Sequence, residues 1–353
     1  MNRFWSQTIK NITPYVPGEQ PKDRQYIKLN TNENPYPPSP KALDAIRRAT
    51  DETLRLYPDP DGKELRNDIA HRFDLKKNNV YIGNGSDELL AFCFPAFFEP
   101  TGQPVLFADI TYSFYPVYAA FFQIPYQLIP VDDEFNIPLE GYFQDNGGII
   151  VANPNAPSGK GVALEDIEVI LQHNESHVVI LDEAYVDFGG RTAAGLIDRY
   201  PNLLVIRTLS KSHALAGLRV GFILGNEELI EGIIRVKDSI NSYTVDRLAQ
   251  AGALQALQDD AYFQETRRKI INTRERISEE LKKMGCRVIP SEANFIFISH
   301  PHRPGRELFL RLREKGILVR YFDKPKIDNF LRVSIGTDEE MDCFLAALNE
   351  IGQ

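Results

Sequence analysis

Six short apolar runs constrain this chain more than any other feature. They are Val80-Tyr81-Ile82, Val105-Leu106-Phe107, Ile149-Ile150-Val151-Ala152, Val178-Val179-Ile180-Leu181, Leu203-Leu204-Val205-Ile206 and Val220-Gly221-Phe222-Ile223-Leu224. None alternates apolar with polar residues. A strand that is apolar at every position is buried on both faces, so the runs predict a mostly parallel sheet covered by helices on both sides. Helical patterns lie between them, starting near Ser86, Tyr112, Leu164 and Asn226. The fold class is therefore α/β for the middle of the chain.

From about residue 250 the pattern changes. A long amphipathic helix is predicted from Tyr262 to Met284, stopped by Gly285. Strand-like runs follow at Arg287-Val288-Ile289, Asn294 to Ile298, Ile317 to Tyr321 and Leu331 to Ile335, and Thr337-Asp338-Glu339-Glu340 forms a capping box for a last helix. This is the pattern of a smaller α+β domain. The first 38 residues lack periodicity and read as an extended arm, after which Ser39-Pro40 opens a helix to Ala49. The expected division is an arm and first helix over 1–46, packing with the small domain, a large domain over 47–248 and a small domain over 249–353.

In an open α/β sheet, ligands bind beyond the carboxyl ends of the strands. Five of the runs lead into polar segments: Gly83-Asn84-Gly85-Ser86-Asp87, Asp109-Ile110-Thr111-Tyr112, Asn153-Pro154-Asn155, Asp182-Glu183-Ala184-Tyr185 and Arg207-Thr208-Leu209-Ser210-Lys211. Each alone is compatible with an ordinary loop; together they mark one edge as a site. The Gly83–Asp87 turn suits a phosphate through free backbone N–H groups, or is a simple capped turn. It is not a dinucleotide fingerprint, because Glu88 stands where the third glycine belongs, and Pro157-Ser158-Gly159-Lys160 is not a P-loop. Asp182 needs a cationic partner if it is buried, and Lys211 becomes nucleophilic if it is desolvated. Arg320 and Arg332 interrupt apolar runs, so each must find an anion, either a structural carboxylate or a ligand.

Composition excludes other classes. The formal charge is -9, which opposes a nucleic-acid partner. Three scattered cysteines, Cys93, Cys286 and Cys343, do not make a disulfide framework and predict a cytoplasmic protein. No apolar leader is recognised in the first 18 residues. The uncharged stretch from Ile110 to Val131 contains three prolines and two glutamines, so it reads as a buried helix and a strand, not a membrane span. His300 and His302 flank a proline in a loop, and no metal site is expected.

The segment from Ser210-Lys211-Ser212-His213 through Arg219-Val220-Gly221 resembles the lysine signature of the fold-type I pyridoxal-phosphate aminotransferases, and the likeness extends over nearly the whole chain. Leu29-Asn30-Thr31-Asn32-Glu33-Asn34-Pro35, Tyr57-Pro58-Asp59, Gly85-Ser86-Asp87-Glu88 and Leu331-Arg332-Val333-Ser334-Ile335-Gly336-Thr337 are most similar to the histidinol-phosphate aminotransferase branch. The resemblance implies that Lys211 is catalytic and holds pyridoxal 5'-phosphate as a Schiff base. It implies Asp182 on the ring nitrogen, Tyr185 and Asn155 on the ring's 3-oxygen, and Tyr112 stacked on the ring. Ser86, Asp87, Ser210 and Arg219 would hold the phosphate, joined by Tyr57 of a second subunit in a homodimer with shared sites. Tyr15, Asn30, Arg320 and Arg332 would bind the substrates, histidinol phosphate and then glutamate or 2-oxoglutarate. Ala156 and Ser158 depart from the family's usual Asn and Thr in the turn after Asn155. His213 and Tyr243 read as structural. The rival activities are an aromatic amino-acid aminotransferase and a threonine-phosphate decarboxylase-like lyase. A transcription regulator of the same fold would need an additional DNA-binding region.

Overall fold

The structure, a computed structural model, describes residues 3–352. The arm carries α1 (Gln7–Asn11) and β1 (Ile27–Lys28), followed by α2 (Pro40–Ala49) and α3 (Lys63–Arg72). The next segment holds β2 (Val80–Asn84), α4 (Gly85–Phe97), β3 (Val105–Ala108), α5 (Tyr115–Phe122), β4 (Tyr126–Ile129), β5 (Gly148–Ala152), α6 (Leu164–His173) and β6 (Val179–Asp182). It continues with β7 (Leu203–Thr208), β8 (Val220–Gly225), α7 (Glu227–Ile240) and α8 (Arg247–Gln258). The C-terminal part comprises α9 (Asp260–Lys283), β9 (Arg287–Ile289), β10 (Phe295–Ser299), α10 (Gly305–Glu314), β11 (Ile317–Leu318), β12 (Arg320–Tyr321), β13 (Leu331–Ser334) and α11 (Asp338–Gly352).

All six apolar runs are strands of one seven-stranded sheet, ordered β2-β8-β7-β6-β5-β3-β4. Its β7–β6–β5–β3–β4 section is parallel, whereas β8 runs antiparallel to both β7 and β2. Alternate residues of each strand enter different cores, as the period of a strand requires. Leu106, Ile149, Val151, Val179, Leu181, Leu203 and Val205 pack with α3, α6 and α8. Val105, Phe107, Ile150, Ile180, Leu204 and Ile206 pack with α4, α5 and α7. The Ile110–Val131 stretch forms α5 and β4; among the described residues no helix is long and apolar enough to cross a membrane.

The smaller sheet, β12-β13-β10-β9, is antiparallel and packs against α9, α10 and α11. Gly285, at φ 81, ends α9, and Thr337 and Glu340 cap each other's backbone N–H groups at the start of α11. The arm reaches this body through β1, which pairs in parallel with β11, and through Leu29, which is buried in its core.

Two features bear on the expected domain division. α2 packs on α8: Ala42 joins Ala249, Ala253, Ala256 and Leu257 in the core beneath the large sheet. Small residues allow this contact, since a Cβ on Gly252 would sit 2.9 Å from Ile46. Residue 248 also falls inside α8, so the chain has no break there. The next turn is Asp259, whose carboxylate accepts from Ser39 Oγ (2.5 Å) and pairs with Lys41 (2.8 Å).

Gly221 of β8 lies against the start of α4. A Cβ there would meet the Gly85 carbonyl carbon at 2.5 Å and the Ser86 nitrogen at 2.6 Å. Backbone atoms cannot swing aside as a flexible side chain would. Gly221→Ala is expected to lower unfolding free energy by about 1–3 kcal/mol, the usual cost of overpacking. Urea unfolding measures this; a wild-type midpoint would show that the two segments can separate freely.

Candidate active site

The polar strand ends meet around one cavity of about 800 Å³, its open mouth included. Ser86, Asp87, Tyr112, Asp182, Tyr185, Ser210, Lys211 and Arg219 line it from the large sheet, and Tyr15, Asn30, Arg320 and Arg332 from the arm and small body. Because β2 is antiparallel to β8 and β8 to β7, β2 ends at the same edge as the parallel strands, and β8 begins there. Arg219 is therefore delivered by the start of a strand, not its end.

One wall suits a phosphate. Asn84 makes no side-chain cap at α4, so the first N–H groups of this 13-residue helix point out unpaired by a cap. Gly85, at φ 78, passes close under Arg219: a Cβ there would sit 2.6 Å from the guanidinium. Arg219 pairs with Asp87 at 2.8 Å, and Asp87 also accepts from the Tyr112 hydroxyl at 2.8 Å. Thr208 Oγ1 donates to Ser210 Oγ at 3.0 Å, which leaves the Ser210 proton for another acceptor.

Asp182 ends β6 and is only 5% exposed. It accepts from the Tyr115 hydroxyl (2.8 Å) and from the Ala184 N–H (3.2 Å). Burial pushes its carboxyl up to about 6 despite those bonds. Lys211 Nζ donates to the Thr31 carbonyl at 3.3 Å and lies over the Tyr185 ring at 5.8 Å. Its backbone is clamped by the arm, where Asn34 Nδ2 donates to the carbonyls of Lys211 (2.9 Å) and Ser212 (3.2 Å). Behind it, Ser212 donates to Asp187 at 2.6 Å, and Asp187 pairs with buried Arg207.

The other wall suits an anion. Arg320 and Arg332 face each other across β12 and β13. Among the described residues neither has a carboxylate partner. Arg320 donates to the Val16 carbonyl at 2.9 Å, and Arg332 to the Asn30 carbonyl at 3.2 Å. Arg332 Nε is buried with no acceptor, and the guanidinium lies 5.3 Å from the Phe295 ring and 5.6 Å from the Phe322 ring. Burial lowers its pKa. A structural salt bridge, one of the two readings open from sequence, is absent at both positions among the described residues.

Two of the expected site residues are not among those that line the cavity of one chain. Asn155 is fully buried but does not line the cavity: its amide donates to the Ile110 carbonyl (2.8 Å) and accepts from Thr111 Oγ1 (2.7 Å). Tyr57 lies away from the cavity, 77% exposed, with its ring stacked on Tyr243 at 4.4 Å. Tyr243 is thus a surface ring, not a core one. His213 turns away from the site, stacked on Phe263 at 4.7 Å, and burial lowers its pKa to about 4. Sequence reasoning missed Thr31, Asn34, Tyr115 and Thr208. Asn34 was quoted within a motif, but nothing local shows that an arm residue would reach the backbone of Lys211, 177 positions away.

The family model described as aminotransferase class I and II matches residues 24–348. The histidinol-phosphate aminotransferase of Clostridium acetobutylicum is 55% identical over 350 residues, 99% of this chain and 99% of that one. The protein of the same name from Clostridium beijerinckii is 54% identical over 351 residues, 99% and 98% of the two chains. Among solved structures, histidinol-phosphate aminotransferase from Sinorhizobium meliloti in complex with pyridoxal-5'-phosphate gives a TM-score of 0.89 at 28% identity, covering 99% of this chain and 97% of that one.

The raised carboxyl of Asp182 has a measurable consequence in cofactor-free protein. A group whose folded pKa exceeds its unfolded value contributes stability at low pH and loses it as pH rises through the folded pKa. With a folded value of about 6 and an ordinary value near 3.9, the loss is about 3 kcal/mol. Asp182→Asn removes the titration, so wild type should lose stability relative to the variant between pH 4 and pH 8. Urea unfolding across that range measures the difference; a constant gap would show that Asp182 is solvated.

Proposed function

The chain belongs to the class I and II aminotransferases, and from this we infer that it transfers the amino group of histidinol phosphate to 2-oxoglutarate with pyridoxal 5'-phosphate as cofactor. The products are imidazole-acetol phosphate and glutamate. One observation carries the reading: a single cavity brings Lys211 and buried Asp182 together with two arginines that have no carboxylate partner among the described residues.

The residues fit the cofactor on structural grounds. The Gly85–Asp87 turn, Ser210 and Arg219 form a cradle for its phosphate, one that a Cβ on Gly85 would obstruct. Asp182 is costly as a lone buried carboxylate, and a protonated ring nitrogen supplies the charge partner it lacks. Tyr112 and Tyr185 present an aromatic ring and a hydroxyl to the cavity. Asn155, bonded to Thr111 and to the Ile110 carbonyl, is proposed with Tyr185 at the ring's 3-oxygen. When bound, pyridoxal phosphate supplies an aldehyde carbon that links to amines and a ring that withdraws electrons from them.

The chain supplies the rest. Lys211 would hold the cofactor through its side-chain amine and give it up to an incoming amine. Its Nζ, placed by its bond to the Thr31 carbonyl and by Asn34's hold on the Lys211 backbone, would take the proton from the substrate's α-carbon and deliver it to the cofactor's aldehyde carbon, and would run the same transfer in reverse with the second substrate. Asp182 holds a proton at the ring nitrogen. Arg320 and Arg332, with Tyr15 and Asn30 beside them, bind the anionic end of either substrate. That end is a phosphate in histidinol phosphate and a distal carboxylate in 2-oxoglutarate, and paired guanidinium forks accept both.

The exposed apolar side chains Leu54, Leu56, Tyr57, Ile240 and Tyr243 support a homodimer in which Tyr57 reaches the partner's phosphate cradle. Three cysteines free of disulfides fit a cytoplasmic enzyme.

A substrate screen tests the activity. Histidinol phosphate should convert the cofactor's absorption band faster than phenylalanine or threonine phosphate; faster conversion by either of those would reassign the substrate. Arg332→Met should raise KM for histidinol phosphate and for 2-oxoglutarate by roughly 10- to 100-fold, the worth of a charge-assisted bond. Unchanged constants in both half-reactions would remove Arg332 from the site. Shared sites predict complementation: Tyr57→Ala and Lys211→Ala proteins are each impaired, and a mixture refolded together regains activity through mixed dimers. A mixture no more active than its components would mean that each site is built within one chain.

A further inference from the structure

Asn32 is an arm residue with no role in the site described so far. It is 1% exposed and adopts a left-handed backbone, φ 56, which is unfavourable for a residue other than glycine, although asparagine tolerates it better than most. All its polar groups are engaged. Its N–H donates to Ser334 Oγ at 2.8 Å, and its carbonyl accepts from Asn294 Nδ2 at 3.0 Å. Its side-chain oxygen accepts from Ser334 Oγ at 2.9 Å, and its Nδ2 donates to the Tyr185 hydroxyl at 3.0 Å.

The serine fixes the direction of this chain of bonds. Ser334 is 2% exposed, and its oxygen already accepts from the Asn32 backbone, so its one proton goes to Asn32 Oδ1. Turning the amide over would strand that proton in a buried place. The NH₂ end therefore faces Tyr185, whose oxygen accepts and whose proton is left to point elsewhere. Among the described residues nothing accepts that proton, and Tyr185 lines the cavity.

We propose that Asn32 is a positioning residue: it holds the Tyr185 hydroxyl so that its proton is donated into the cavity, toward the ring oxygen of the cofactor. The proposal rests on the pyridoxal-phosphate reading and deepens it. The ring oxygen carries negative charge beside the nitrogen that joins the cofactor to Lys211, and that charge holds a proton on the nitrogen. A hydrogen bond donated to the oxygen draws charge away, so the nitrogen releases its proton at lower pH. A bond accepted from Asn32 makes the tyrosine a stronger donor, because hydrogen bonds in a chain polarise one another. The other charged or titratable groups acting around Tyr185 are Lys211, Asp182, Arg332 and Tyr115, with Glu33 acting on Lys211. Asn32→Gly alters none of them, whereas Asn32→Asp adds a carboxylate that itself favours the protonated nitrogen.

The test is a pH titration of the bound cofactor's absorption spectrum. Asn32→Gly keeps the left-handed backbone and removes the donor. Asn32→Asp keeps the acceptor for Ser334 but draws the Tyr185 proton away from the cavity. Tyr185→Phe sets the full effect, about one pH unit upward for loss of a bond to a charged oxygen. Both Asn32 variants should raise the spectral midpoint by about half a unit or more, and Asn32→Gly should add nothing in the Tyr185→Phe background. A purely structural role would lower the melting temperature and leave the midpoint alone. A wild-type midpoint in an Asn32 variant that still binds cofactor, or additive shifts in the double variant, would overturn the proposal and leave the transaminase reading intact. A wild-type protein that forms no covalent cofactor band would overturn both.

Discussion

The site depends on one strand running the wrong way. β8 enters the sheet antiparallel between β2 and β7. Its reversal lets the chain stay at the ligand edge after β7, with Arg219 at the start of β8, and lets β2 run in the same sense as the parallel strands. Phosphate cradle, buried acid and lysine are then neighbours along one edge, linked by register: Ala152 lies beside Asp182, Asp182 beside Ile206, and Thr208 beside Gly221. Ladder hydrogen bonds set these spacings, so the polar groups occupy a low-dielectric edge without having to fold it themselves.

That edge brings an electrostatic conflict. Protein interiors disfavour lone charges, yet among the described residues neither buried Asp182 nor Arg332, with its buried Nε, has an ion-pair partner. The chain resolves neither internally. Hydroxyls, backbone groups and aromatic faces hold each charge in place but do not neutralise it, as Tyr115 does for Asp182 and Phe295 and Phe322 do for Arg332. Complementary charge is left for the ligands to supply, at the expense of stability without them.

Much of this was legible in sequence because buried strands cannot hide: uninterrupted β-branched runs fixed the sheet, and what followed each run fixed most of the cavity. Three things were not legible. A rule that reads strand ends cannot find Arg219, because an antiparallel strand presents its beginning; only the resemblance placed it. The packing of α2 on α8 depends on small residues such as Ala42 and Gly252, which fit either domain by composition. The contacts of Asn32 and Asn34 join positions far apart in the chain, and no local periodicity encodes them.

The pairing of β1 with β11 also orders events in time. Ile27 meets Ile317, and Arg24 reaches the Glu314 carbonyl across 290 positions. During synthesis residues 27–28 emerge well before their partners at 317–318. The large sheet has all its strands by residue 225, so it can collapse while the arm is still a free polymer. Contacts of such high sequence separation form slowly, since the loop must close before it is rewarded. Thr31, Asn32 and Asn34 thus settle on Lys211 and Tyr185 only when the last strands are in place. The lysine's setting is thus finished when residues 27–34 join strands from 317 onward, which makes assembly of the reactive centre later than that of the large sheet.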